Sequence, residues 1–304
     1  VSTPATSAFD LERFLTVQRE RIEVALEVAL ADALPHMEPA VREPVRMGVT
    51  TGGKRLRPIL CVAAYDACGG TAPGIEGLAV SIEMIHAYSL MHDDLPCMDD
   101  APLRRGRPTP HTLHGEAATM IGGAALIPAA HLQAWKAALA MGVGEATARE
   151  LVRTLAVASG GVGMVGGQGL DLLGEGRALS RTELDDLHRR KTGALLTAPL
   201  RMGALAAGAP AEVTAALERY GRAVGHAFQI ADDVLDATAD AERLGKEPSD
   251  AALGKSTYVA LLGVKGARGE AGALVGEALD ALGRAGVQSE ALEALAAYTV
   301  SRDR

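Results

Sequence analysis

Aromatic side chains are scarce in this chain, with one Trp, five Tyr and three Phe in 304 residues. Because 48% of the residues are nevertheless hydrophobic, Ala and Leu must supply most of the core, a composition that favours closely packed helices over sheets. Cysteine is equally rare. Cys61, Cys68 and Cys97 form no CxxC pair and cannot all be paired within the chain. That fits a reducing compartment and predicts a small buried side chain at each position. Excess positive charge is also lacking. A formal net charge of −8 argues against a general nucleic-acid surface, so an anionic substrate must be met by local Lys/Arg clusters or by metal ions. No segment stays apolar long enough, free of charge, Gly or Pro, to span a bilayer, and residues 1–8 have neither the basic start nor the apolar run of a signal peptide. The expectation is a cytoplasmic protein with no stable membrane insertion.

Alternating runs of β-branched residues bounded by turn pairs are missing, as are repeats of fixed period, so sheet content should be near zero. Helical periods stand in their place. Leu15, Ile22, Leu26, Ala29 and Ala33 recur at steps of seven, four, three and four, which predicts a helix ending before Pro35. Leu78, Ile82, Ile85 and Ser89 repeat the pattern, and Ser180 with Glu183 has capping-box spacing. Loops are expected at 35–44, 96–110, 174–179, 237–254 and 264–269. None is long or flexible enough to look like an interdomain linker, so 1–304 is read as one all-α domain with a short tail at 1–10.

Two acidic clusters carry the chemistry. Asp93-Asp94-Leu95-Pro96-Cys97-Met98-Asp99-Asp100 closes the helix that holds Ile82 and Ile85, and four carboxylates this close repel one another unless cations sit among them. Asp99 lies six residues past Asp93, about 240° round a continuous helix, so the two could not share an ion unless Pro96 breaks the helix and lets the chain fold back. In Asp232-Asp233-Val234-Leu235-Asp236 the first and last carboxylates lie one helical turn apart on one face. An oxygen-only ligand set favours Mg²⁺, with Mn²⁺ as a substitute, and Mg²⁺ bridges naturally to phosphate oxygens. Taken singly, either cluster could equally be a solvated charge run. Basic residues separate these readings: Gly52-Gly53-Lys54-Arg55-Leu56-Arg57-Pro58 precedes the first cluster, and Arg104-Arg105-Gly106-Arg107 follows it. Arg grips phosphate in a bidentate fork and Lys as a point charge, so one diphosphate could be held through metals and another directly.

These segments resemble the trans-polyprenyl diphosphate synthases. The two basic segments and the two acidic ones match that family's motifs in order. So do the stretch Glu83-Met84-Ile85-His86-Ala87-Tyr88-Ser89-Leu90-Met91-His92, Gly166-Gly167-Gln168, Lys191-Thr192-Gly193, Phe228-Gln229 and Gly254-Lys255-Ser256-Thr257-Tyr258. The resemblance implies antiparallel helices around a large central cavity and a homodimer. It implies Mg²⁺ at Asp93, Asp94, Asp99, Asp232, Asp233 and Asp236, drawing the diphosphate off an allylic substrate. Arg104 and Lys191, with Lys246 and Lys255, would support that diphosphate, while oxygens of Lys191, Thr192 and Gln229 lie near the resulting cation. Isopentenyl diphosphate would bind metal-free through Lys54, Arg57, His86 and Arg105. His86 stands seven residues before Asp93, about 10.5 Å along one helix face, which suits neighbouring diphosphate sites.

The family closes its product cavity with a bulky residue five places before the first acidic motif, where Tyr88 stands; ideal geometry puts Ser89 more nearly under Asp93. Tyr88 and the two extra residues between Asp94 and Asp99 resemble the bacterial farnesyl diphosphate synthase type, which implies a C15 product. The alternatives are a geranyl or geranylgeranyl product. Pro102, Ala124 and the short Glu247-Pro248-Ser249 stretch depart from the family pattern but leave the acidic motifs intact.

Gly161-Val162-Gly163-Met164-Val165-Gly166 matches a dinucleotide fingerprint without the preceding strand that motif needs, so close helix packing is expected there. A helical metal phosphohydrolase would need further His ligands near His92-Asp93, and only His36 and His86 lie upstream. A terpene cyclase would leave the second basic site without a purpose.

Overall fold

The computed structural model describes residues 9–238 and 256–301, which form an array of helices with a single two-residue hairpin. Helix α1 (Leu11–Ala33) opens on Asp10, whose carboxylate accepts from the Arg13 amide at 3.0 Å, and buries Ile22, Leu26 and Ala29 on its expected face. It gives way to a 3₁₀ turn (Leu34–His36) at Pro35. The loop expected at 35–44 is only partly one, because α2 (Pro39–Thr50) already begins at Pro39. There Pro occupies the first helical position, where a missing N–H costs nothing. Pro44 inside the helix is carried by the buried four-residue repeat Val41, Val45, Val49.

Helices α3 (Leu56–Ala67) and α4 (Ile75–Asp93) follow. Leu78, Val80, Ile82, Met84 and Ile85 of α4 are each at most 1% exposed. Those positions point all round the helix, which identifies α4 as a central, fully enclosed element; α3 and α6 pack against it. A tight hairpin, β1 (Leu103–Arg104) with β2 (Arg107–Pro108), turns at Arg105 and Gly106, whose φ angles of 54° and 72° are both positive as a two-residue turn of this hand requires. Next come α5 (Pro110–His114), α6 (Glu116–Ala140), α7 (Glu145–Ser159) and α8 (Met164–Gly174). The Ser180–Glu183 capping box forms and starts α9 (Arg181–His188). A π-helical segment (Arg189–Gly193) leads into α10 (Ala194–Ala206), followed by α11 (Ala211–Thr238), α12 (Tyr258–Arg284) and α13 (Glu290–Ser301).

The loop expected at 264–269 is instead helical, held by Ala267 and Ala271 buried against Ile230 and Val234. Its glycine signal surfaces just upstream as a kink at Gly263, where φ is 68°. The loop expected at 237–254 begins with two residues still in α11, and its remainder lies outside the described residues. Cys61 is buried, but Cys68 is half-buried and Cys97 exposed. Cys97 stands in the turn after Pro96, where no core is available to cover it.

The core is divided by α3 and α10. One face of each joins the apolar cluster around α1, α2, α4, α6 and α7, and the other joins a cluster with α11, α12 and α13. No described helix is long and apolar enough to cross a membrane.

Candidate active site

Where α4 ends, the chain reverses as Pro96 suggests. The Asp99 amide donates to the Asp93 carbonyl at 2.9 Å and the Ala101 amide to the Asp94 carbonyl at 3.2 Å. This fold-back separates the carboxylates by environment. Asp94 is 2% exposed and accepts from Arg104 Nε at 2.8 and 2.9 Å, whereas Asp99 and Asp100 are exposed. Burial pushes the Asp93 carboxyl up to about 6, against the pull of Lys191 and with help from the Asp99 and Asp94 charges. Burial also raises Asp94, with Arg104 opposing it.

The second acidic cluster sits on α11 without a break. Asp232 lines the same cavity as Asp93. Asp233 instead is 4% exposed and accepts from the Tyr258 amide at 2.7 Å and from Gln229 Nε2 at 3.2 Å. Gln229 Oε1 in turn accepts from the Thr192 hydroxyl at 3.0 Å. Lys191 lies in the π-helical segment, a device that re-aims side chains at functional sites, and its ammonium pairs with Asp171 at 2.5 Å. Asp236 is half-buried and does not line the cavity.

The basic wall is built around Arg55, a non-glycine residue held at φ 51°. Its buried guanidinium donates to Glu83 and to Glu23 at 2.8 Å each and to the Val49 carbonyl at 2.9 Å. These bonds tie the loop after α2 to α1 and α4, and Lys54 and Arg57 on either side of Arg55 line the cavity. Arg57 Nη1 donates to His86 Nε2 at 3.2 Å. Burial first, then the neighbouring Arg57 and Arg105 charges, hold His86 well below its ordinary range, so it is a neutral acceptor here. The Arg105 guanidinium donates to the Gly52 carbonyl and lies so close over Gly53 that a Cβ there would come within 2.5 Å of it.

Together these groups surround a cavity of about 920 Å³. Of the residues singled out from sequence, Lys54, Arg57, His86, Tyr88, Ser89, Asp93, Arg104, Arg105, Lys191, Thr192, Gln229 and Asp232 line it. Asp94, Asp99, Asp233 and Asp236 stand outside that lining, and Lys246 and Lys255 fall outside the described residues. Met164, Leu172 and Phe228 add apolar wall. The roles of Arg55, Glu83, Asp171 and Tyr258 were not legible from spacing, although three of them belong to motif stretches and Asp171 follows Gln168 by three residues. The dinucleotide-like glycines serve close packing: a Cβ on Gly167 would lie 2.1 Å from the Lys191 nitrogen, and one on Gly166 would lie 1.9 Å from the Gly161 carbonyl.

Among the described residues no three His, Cys, Asp or Glu side chains converge closely enough to hold a metal ion. The oxygen donors of Asp93 and Asp232, with Asp93 held at an elevated pKa first by burial and then by the Asp99 and Asp94 charges, suit a hard divalent cation whose shell is completed by water and phosphate oxygens.

Residues 38–295 match the family model described as polyprenyl synthetase. Farnesyl diphosphate synthase of Escherichia coli K12 is 43% identical over 276 residues, 89% of this chain and 92% of that protein. A chloroplastic geranylfarnesyl diphosphate synthase of Leucosceptrum canum is 41% identical over 304 residues, 97% of this chain and 81% of that one. Among solved structures, an apo FPP/GFPP synthase from Zymomonas mobilis superposes with a TM-score of 0.80 at 34% identity, covering 94% of this chain and 99% of that one.

Proposed function

Since the chain belongs to the polyprenyl synthetase family, we propose that it condenses dimethylallyl or geranyl diphosphate with isopentenyl diphosphate and releases the C15 product, farnesyl diphosphate. At the coarser level it is a prenyltransferase of head-to-tail type. The observation that carries the two-diphosphate condensation is the shared cavity: Asp93 of α4 and Asp232 of α11 line one hollow with the basic group Lys54, Arg57, His86 and Arg105.

The family uses divalent metal ions. Mg²⁺ held through Asp93 and Asp232, with Asp94, Asp99, Asp233 and Asp236 around them, would supply Lewis-acid charge to the leaving diphosphate. Arg104 and Lys191 bind that diphosphate, and Lys246 and Lys255 are assigned to it by family resemblance alone. Thr192 and Gln229 offer oxygens to the allylic carbon as positive charge grows on it. Lys54, Arg57 and Arg105 grip isopentenyl diphosphate directly, and the neutral His86 ring braces Arg57. The allylic C–O bond breaks, a C–C bond forms from the isopentenyl double bond, and the proton released goes to the departed diphosphate. No protein base is required.

Relatives of nearly equal identity carry names for different products, so overall similarity does not set chain length. Tyr88, 5% exposed at the cavity wall with Ser89 beside it, is the reason for choosing C15. The chain is further read as one domain acting as a cytoplasmic homodimer.

The test supplies purified enzyme and Mg²⁺ with isopentenyl diphosphate and C5, C10 or C15 allylic partners, and counts product carbons by mass spectrometry. C15 from the first two partners and no extension of the third is expected. Extension of farnesyl diphosphate would overturn the C15 assignment, and no new carbon–carbon bond with any partner would overturn the activity.

A further inference from the structure

His92 has no part in the mechanism above, yet its placement is unusually determined. It lies one helical turn after Tyr88 on α4, so the two side chains share a face. Its Nε2 is 2.9 Å from the Met120 carbonyl oxygen of α6, which makes Nε2–H the donor. The ring occupies a notch in α6 at Gly123, where an added Cβ would stand 2.4 Å from Nε2 and 2.6 Å from Cδ2. The neighbouring Gly122 is also packed without slack, since a Cβ there would meet Val45 Cγ2 at 3.0 Å. On its other side the imidazole meets the Tyr88 ring edge-on, with centroids 5.4 Å apart and planes at 85°. Tyr88 is thus wedged between α6 and the cavity, bordering both the core and the hollow, and His92 reaches the same hollow beside it.

We infer that His92 is a positioning residue for Tyr88, and that the depth of the Gly123 notch sets how far the Tyr88 ring stands into the cavity and therefore the length of the product. This rests on the reading of Tyr88 as the cavity floor. In a close-packed interior a displaced ring has few places to go. A methyl at Gly123 drives the imidazole toward Tyr88 and shallows the cavity, whereas removing the imidazole lets Tyr88 sink toward α6 and deepens it. The two substitutions act in opposite directions on a readout that general destabilisation does not bias either way.

The experiment measures the product-length distribution at low conversion for wild type, Tyr88→Ala, His92→Ala, Gly123→Ala and the Tyr88→Ala/His92→Ala double variant. Circular dichroism checks the fold of each. Expected are a ratio of C20 to C15 raised at least about tenfold in His92→Ala, the order of discrimination one or two methylenes bring in an apolar pocket, and more C10 in Gly123→Ala. Adding His92→Ala to Tyr88→Ala should lengthen the product much less than His92→Ala does alone, since His92 acts chiefly through that ring. If Gly123→Ala fails to fold, His92→Ala and the double variant still decide. Should Tyr88→Ala lengthen the product while His92→Ala leaves it at C15, the positioning role is overturned and the floor survives. If Tyr88→Ala itself leaves the product unchanged, the floor reading falls first. If His92→Ala lengthens the product as much on the Tyr88→Ala background as it does in the wild type, the inference is overturned, because His92 then acts on the cavity independently of the ring.

Discussion

The two aspartate pairs look alike in sequence and differ in space in one respect. In each, the leading residue, Asp93 or Asp232, lines the cavity, and its neighbour, Asp94 or Asp233, is buried. What braces the buried member differs. Asp94 is held by the guanidinium of Arg104, on the first strand of the hairpin. Asp233 accepts from two neutral groups, the Tyr258 amide and the Gln229 carboxamide. The Arg104 brace carries a full positive charge, whereas the Tyr258 amide and the Gln229 carboxamide are neutral donors. The leading residues are therefore equivalent in chemistry, whereas the buried ones are equivalent only in burial.

The largest effect expected from this contrast is catalytic. Asp93→Ala and Asp232→Ala should each lower kcat/KM by at least about a thousandfold, the scale of losing a group that stabilises developing charge, as read from initial rates of condensation. A loss at one position alone would break the equivalence of the leading residues.

Next comes stability of the buried pair. Asp94→Ala strands a guanidinium that is about one-third exposed and should cost about 2–3 kcal/mol, below the range for fully buried pairs because water reaches Arg104. Asp233→Ala leaves two neutral donors unsatisfied and should cost about 1–2 kcal/mol. Chemical denaturation of both variants measures the difference, and the reverse ranking would refute the account of the braces.

The last effect, similar in size to the second, is one of pH, in chelator. The Asp93 carboxyl titrates near 6 in the fold against an ordinary value of 3.8. Raised pKa values favour the protonated form, so this contribution is fully present below about pH 4 and is lost as pH rises through 6. Relative to Asp93→Asn, the wild type should lose on the order of 2 kcal/mol between pH 4 and 7, visible as diverging melting curves. Parallel curves would show that Asp93 is better solvated than its surroundings suggest.

Much of this architecture was legible in advance where a local rule governs it. The periods of α1 and α4, the Ser180–Glu183 box and the break at Pro96 are decided within a few residues of chain, and the structure follows them. The 35–44 and 264–269 segments misled because Pro and Gly were read as breakers. Pro39 at a helix start and the Ala267–Ala271 face buried against α11 overrule that reading. The site behaves the same way. Asp93, Asp232 and the basic residues Lys54, Arg57, Arg104 and Arg105 carried enough chemistry in their spacing to be named, whereas His86, Tyr88, Lys191, Thr192 and Gln229 were reached through the family resemblance. The split between Asp93 and Asp94, or Asp232 and Asp233, was legible in neither way, because it depends on partners 10 to 25 residues away. Arg55 likewise gains its meaning from Glu23 and Glu83, on helices that no short motif joins to it.

The termination of α4 at Asp93 carries one more consequence. Aligned peptide dipoles make the C-terminal tip of a helix partially negative, and here that tip coincides with the acidic pair rather than with Lys or Arg. The macrodipole and the carboxylates reinforce each other's potential at one point. Electrostatic attraction for cations is thus focused at the wall of the hollow where Asp93 lines it before any substrate enters, and the apoprotein stores there a repulsion that ion binding relieves.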